Sequence, residues 1–224
     1  MTGSSSSLMI PALRPIVIIL ALLAPLSAAP EKWASAIDAF TKADAAHPPE
    51  KGGVVFVGSS TIVKWTTLEK DFPGLPIVKR GFGGSLLSDS VFYADRIVTA
   101  YSPRIVVVYA GENDLQAGST AAEVHAQFRA FVAKVHADLP KTRIVFIGLK
   151  PSPSRAKIHD KVKAANALIA ADCAKDDRLR FVDIWNAMLD AKGGLRPDIF
   201  IADQLHLNAA GYAILTPLVA AQLR

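Results

Sequence analysis

A three-layer α/β/α sandwich around a central, mainly parallel five-stranded sheet is the fold this sequence predicts. Two observations carry that expectation. Five short runs rich in β-branched residues recur along the chain, each almost continuously apolar, as strands buried on both faces are. Segments with helical spacing lie between them, and strand alternating with helix implies right-handed βαβ crossovers packed on the sheet.

Taken in order, residues 31–45 set Trp33, Ile37 and Phe40 on one side of a helix that stops before His47-Pro48-Pro49. After Lys51-Gly52-Gly53 comes the first strand, Val54-Val55-Phe56-Val57. The second run is Pro76-Ile77-Val78, the third spans 104–109, the fourth 143–147 and the fifth 180–184. Helical patterns cover 88–100, 121–139, 155–173 and 208–223. No repeat or long linker interrupts them, so residues 30–224 read as one domain.

Hydrophobic residues make up 51% of the chain and charged residues 20%, which points to a globular protein and away from disorder. The net charge of +5 is scattered rather than clustered, so it reads as a solvated surface and not as a nucleic-acid site. At the N-terminus Arg14 precedes the apolar run Ile16-Val17-Ile18-Ile19-Leu20-Ala21-Leu22-Leu23-Ala24, and Ser27-Ala28-Ala29 follow. That pattern predicts a signal peptide over 1–29 and export to the periplasm or medium. The run is well short of the roughly 20 residues a membrane span requires, so no stable span is expected once the leader is removed. Cys173 is the single cysteine; no internal disulfide can form, and its helical, apolar context predicts a core thiol.

In a parallel sheet the functional loops gather at the carboxyl ends of the strands. There the first strand runs into Gly58-Ser59-Ser60-Thr61, the second into Gly81-Phe82-Gly83-Gly84-Ser85 and the third into Gly111-Glu112-Asn113-Asp114. Asp203-Gln204-Leu205-His206 stands just before the last helix. Each block alone has a bland explanation as a turn or helix cap. Four of them at one sheet edge are hard to explain that way.

Together these blocks resemble those of the SGNH (GDSL-like) esterases and lipases, over nearly all of residues 53–223. The resemblance implies a flavodoxin-like fold and an ester hydrolase. It puts Ser60 in the nucleophile position, and Asp203 and His206 match the family's Asp-x-x-His pair. Gly84 matches the glycine whose N–H helps form the oxyanion hole, and Asn113 the asparagine that adds a side-chain donor. The sequence departs from the family at Ser59, where Gly-Asp-Ser is usual.

The residue types also make chemical sense unaided. A serine hydroxyl is a weak nucleophile that needs a base, and a histidine near its ordinary pKa can supply one. The histidine needs an anion to fix its tautomer and stabilise its cation, and Asp203 three residues before His206 can converge with it from one turn. The oxyanion of a tetrahedral intermediate then needs donors, which the N–H groups of Ser60 and Gly84 and the Asn113 amide can provide.

Rival motifs fail. Gly81-Phe82-Gly83-Gly84 is not a dinucleotide fingerprint because Leu86 holds the last glycine's place, and no Walker lysine occurs. Gly58-Ser59-Ser60-Thr61-Ile62 lacks the second glycine of an α/β-hydrolase elbow. The five histidines show no metal-ligand spacing, and His125, His136 and His159 read as helix-surface residues. The chemistry therefore needs no metal and no cofactor. Trp65, Phe82, Tyr109 and Phe200 lie near the motifs and suit either an acyl pocket or core packing.

The expected substrate is a small-molecule, glycan or lipid ester. Short strand-end connections, and a polar loop Lys150-Pro151-Ser152-Pro153-Ser154 stiffened by two prolines, leave no apolar lid and predict short acyl groups. Two other classes share these residues: an acyltransferase that passes the acyl group to a sugar hydroxyl, and a non-catalytic carbohydrate- or lipid-binding module.

Overall fold

The computed structural model describes residues 31–224. The predicted leader, 1–29, lies outside the described residues. The strands are β1 (Val54–Gly58), β2 (Ile77–Gly81), β3 (Ile105–Tyr109), β4 (Arg143–Ile147) and β5 (Leu179–Val182). All four pairings are parallel and the order is β2-β1-β3-β4-β5. The five strand runs of the sequence are these five strands.

The longer helices are α1 (Glu31–Ala46), α7 (Ala121–Asp138), α8 (His159–Cys173) and α9 (Ala209–Ala220). Five short ones lie at or near the strand ends: α2 (Ser60–Lys64), α3 (Leu68–Asp71), α4 (Leu87–Phe92), α5 (Ala94–Ile97) and α6 (Glu112–Gln116). From β1 the chain steps to β2 on one side, then crosses back to β3 on the other. With every crossover right-handed, that reversal sends the intervening helices to opposite faces of the sheet. On one face α7 packs between α8 and α4, and α1 meets α5. Elsewhere α9 holds the α2–α3 segment, with Tyr212 against Trp65 at a ring separation of 5.2 Å.

Burial explains the strand composition. Every residue of β1 and β3 is buried, so those central strands carry uninterrupted apolar runs. β2 is an edge strand in which buried and half-buried residues alternate. It therefore extends through Lys79 and Arg80, beyond the apolar run that the sequence marks. Arg80 is nonetheless buried: it ion-pairs with Asp44 of α1, donates to the Tyr101 hydroxyl at 2.8 Å and lies over the Phe40 ring.

The helix expected over 88–100 is broken into α4, α5 and a 3₁₀ turn at Thr99–Tyr101, with Tyr93 between the first two at φ −91°, ψ 5°. The helix expected from 155 begins at His159, after a 3₁₀ segment at Pro153–Ile158. Among the described residues, no helix is long and apolar enough to cross a membrane.

Candidate active site

The reversal of strand order places the ends of β1 and β3 side by side, where open parallel sheets bind their ligands. Gly58 closes β1 at φ +138°, and a Cβ there would lie 2.0 Å from the Tyr109 carbonyl oxygen. Only glycine lets the two strands stay paired to their last residue. The next residue, Ser59, is buried; its N–H donates to the Tyr109 carbonyl at 3.0 Å, and its carbonyl accepts from Ile62 and Val63. These bonds fix the backbone where the family usually carries aspartate. Ser60 then opens α2, and a first-turn N–H has no acceptor within its own helix.

His206 and Asp203 come from the loop before α9. That loop is closed by a bridge between Phe200 and Leu207, by the Ile201 N–H donating to the His206 carbonyl at 2.9 Å, and by Gln204 in the left-handed region at φ 56°. Asn208 caps α9, accepting from the Gly211 N–H at 3.1 Å and donating back to the carbonyls of Asp198 (2.7 Å) and Phe200 (3.1 Å). Four residues on, the Tyr212 hydroxyl donates to the Thr61 carbonyl of α2 at 2.8 Å.

So held, His206 Nε2 lies 2.9 Å from Ser60 Oγ, and its Nδ1 lies 2.6 Å from Asp203 Oδ2. The other carboxylate oxygen, Asp203 Oδ1, accepts from the N–H groups of Leu205 and His206, both at 2.9 Å. Partial burial would raise the Asp203 carboxyl, but the His206 ring and these two N–H donors outweigh it and hold it well below the carboxylate range. Asp203 is thus an anion facing an imidazole that faces a serine.

Two further blocks come to the same edge. Gly84 follows β2 at φ +85°, a left-handed conformation that favours glycine, beside the Trp33 ring. Asn113, in α6, donates through Nδ2 to the Ser85 carbonyl at 3.0 Å and accepts at Oδ1 from Arg155 at 2.8 Å. Behind Asn113 sits a buried ionic cluster. Glu112 accepts from Lys150 Nζ (2.6 Å), the Tyr109 hydroxyl (2.6 Å) and the Ser152 hydroxyl (2.7 Å), and Arg155 Nη1 is 3.5 Å away. Burial alone would raise the Glu112 carboxyl, but the two cations and the hydroxyl hold it below its ordinary value, so it stays charged. A cleft of about 450 Å³ opens beside Gly84 and Asn113, lined by Lys32, Trp33, Leu86, Gln116 and Arg155 among others.

The pattern of residues 58–214 matches the model of the GDSL-like lipase/acylhydrolase family, a span that includes all five site residues expected from the sequence. The chain belongs to that family. Solved structures of the same fold include a Streptococcus pneumonia protein whose name refers to platelet activating factor, with TM-score 0.75 and 20% identity over 87% of this chain and 94% of that one. A GDSL-like lipase from Bacteroides thetaiotaomicron superposes with TM-score 0.70 at 21% identity, over 84% and 96% of the two chains. An acetylxylan esterase from Geobacillus stearothermophilus does so with TM-score 0.61 at 16% identity, over 78% and 95%. No curated protein sequence matches this one.

As a member of an acylhydrolase family, the chain brings Ser60, Asp203 and His206 together, with Gly84 and Asn113 at the same edge. Trp65, Phe82, Tyr109 and Phe200 are all buried, which leaves core packing as their role instead of an acyl pocket. His125, His136 and His159 are half-buried rather than surface residues, bonded to Asp172, the Thr142 carbonyl and the Ser152 carbonyl. Cys173 is buried. The sequence reasoning missed Trp33, which lines the cleft, and Arg155, which holds Asn113. Arg155 lies 42 residues from Asn113, so no local pattern announces the contact.

Proposed function

We propose that this member of the family is a serine esterase that cleaves short-acyl carboxylic esters through an acyl-enzyme. The observation that carries the reading is the line of contacts from Ser60 Oγ to His206 Nε2 at 2.9 Å and from His206 Nδ1 to Asp203 at 2.6 Å. With Asp203 accepting at Nδ1, that nitrogen carries the ring proton, and Nε2 is free to take the proton of Ser60 as its oxygen attacks the ester carbonyl. The carbonyl becomes a tetrahedral oxyanion, which the N–H groups of Ser60 and Gly84 and the Asn113 amide receive. His206 then returns the proton to the departing alcohol. Water, deprotonated by the same histidine, releases the acid and restores Ser60.

The cleft beside Gly84 and Asn113 mixes Lys32, Gln116 and Arg155 with Trp33 and Leu86, so it offers no continuous apolar channel for a long chain. Each further methylene would gain well under the ~0.8 kcal/mol of full burial. A short acyl group is also what the name of the Geobacillus neighbour, an acetylxylan esterase, refers to. On this reading residues 1–29 are removed and residues 30–224 work as one exported domain.

A fluorophosphonate should label Ser60, and p-nitrophenyl acetate should be turned over with higher kcat/KM than the butyrate, octanoate or palmitate. Ser60→Ala should abolish both. Labelling that moves to Ser59, or a kcat/KM that climbs toward palmitate, would overturn the assignment.

A further inference from the structure

We propose that Arg155 is a positioning residue, the group that fixes and polarises the Asn113 amide as an oxyanion donor. The inference rests on the esterase reading.

A primary amide is nearly symmetric in shape, so packing alone does not decide which end faces the oxyanion; its hydrogen-bond partners must. The Asn113 amide has a partner at each end. Its Nδ2 spends one hydrogen on the Ser85 carbonyl at 3.0 Å, which leaves the second for substrate. Its Oδ1 accepts from Arg155 Nη2 at 2.8 Å. A guanidinium only donates, so a flipped amide would set N–H against N–H there and oxygen against oxygen at Ser85. Arg155 thereby rules out the orientation that would turn a carbonyl toward the developing negative charge. A cation bonded to Oδ1 also draws electron density from the amide and makes the opposite N–H a better donor.

Arg155 is itself well anchored. Its side chain is 13% exposed, and its other nitrogen faces Glu112, whose side chain is 4% exposed. Glu112 is fixed by Tyr109 at the end of β3 and by Lys150 and Ser152 just after β4. Burial draws the Lys150 ammonium below its ordinary value, with Glu112 opposing the shift, so the cation that bears on the amide is the one bonded to it, Arg155. The same loop also steadies the base, because the Ser154 N–H and hydroxyl donate to the Gln204 carbonyl at 3.1 and 3.0 Å.

The test is a double-mutant cycle on the purified chain with p-nitrophenyl acetate, comparing Arg155→Ala, Asn113→Ala and the double variant, with melting temperatures recorded for each. Arg155→Ala should lower kcat by about 10- to 100-fold, as small misplacements of a reacting group do, and leave KM within about twofold. In the Asn113→Ala background the same change should cost less than about twofold, because the two substitutions remove one function. Arg155→Lys, which can still donate once to Oδ1, should recover part of the loss; it also carries the cycle should the alanine variant fold poorly. Equal factors in both backgrounds, or an effect carried by KM, would overturn the role of Arg155 while leaving the esterase reading intact. A wild-type chain without Ser60-dependent hydrolysis would overturn both.

Discussion

Replacing Asp203 by asparagine tests the site most sharply, because the geometry dictates which way the new amide must turn. Asp203 Oδ1 accepts from two backbone N–H groups, those of Leu205 and His206, at 2.9 Å each. An asparagine keeps those bonds only by leaving its oxygen there, which turns its NH₂ toward His206 Nδ1. The ring must then accept at Nδ1, carry its proton on Nε2, and face Ser60 with no free lone pair. Turning the amide round restores the productive tautomer but breaks both backbone bonds, at about 1–1.5 kcal/mol each. Losing the anion beside the imidazolium weakens a charge-assisted bond of about 1.5–3 kcal/mol. The total, about 3.5–6 kcal/mol, corresponds to a kcat lower by roughly 400- to 25,000-fold at 1.36 kcal/mol per decade. Steady-state hydrolysis of p-nitrophenyl acetate by Asp203→Asn and Asp203→Ala, each checked for fold by circular dichroism, measures it. Alanine forces no tautomer, so it should retain at least as much activity as asparagine. An asparagine variant within tenfold of wild type, or clearly better than alanine, would refute this account of the histidine's orientation.

Other perturbations probe the scaffold. Gly58→Ala drives a methyl group to 2.0 Å from the Tyr109 carbonyl oxygen, so the melting temperature should fall by about 10 °C, in line with a cost above about 3 kcal/mol; a change under about 2 °C would show that β1 and β3 can part freely. Burial pushes the Asp114 carboxyl up to about 6, with the Leu87 N–H opposing and Asp89 adding to the rise. The folded state then holds that proton more tightly than the unfolded chain, so stability contributed by Asp114 at low pH is lost as pH climbs from about 4 to about 6. The loss is about 3 kcal/mol at most, and Asp114→Asn should flatten that part of a denaturation-versus-pH series. Burial likewise pushes the Cys173 thiol up to about 12, so a disulfide reagent at pH 8 should leave the native protein unmodified and react with one thiol after unfolding; rapid modification of the native form would contradict its burial.

Much of this molecule is legible in the linear sequence because its logic is local. The buried strands announce themselves as unbroken apolar runs. Asp203 and His206 sit three residues apart on one turn, so spacing alone suggests that they meet. The misses have a common physical cause. Lys79 and Arg80 lie past the apolar run Pro76-Ile77-Val78, yet they continue β2, because an edge strand tolerates polar residues wherever a distant partner, here Asp44 for Arg80, takes up the charge. Helical periodicity across 88–100 does not show the break at Tyr93, and that across 155–173 does not show the 3₁₀ entry. Asn113, Arg155, Glu112 and Lys150 form one network only because β3 and β4 are neighbours, and that adjacency is a property of the sheet.

The cap of α9 has a mechanical consequence. Ser60 and His206 arrive on segments 146 residues apart, and strand pairing alone does not set the gap between them. One turn of α9 spans it. Asn208 grips the histidine loop and Tyr212 grips the serine helix, and four residues of helix separate these two grips by about 6 Å along the axis. The helix works as a gauge block: it is stiff along its length and tied to the histidine loop at one grip and to the serine helix at the other. The reach from imidazole to hydroxyl is therefore set by the rise of a helix.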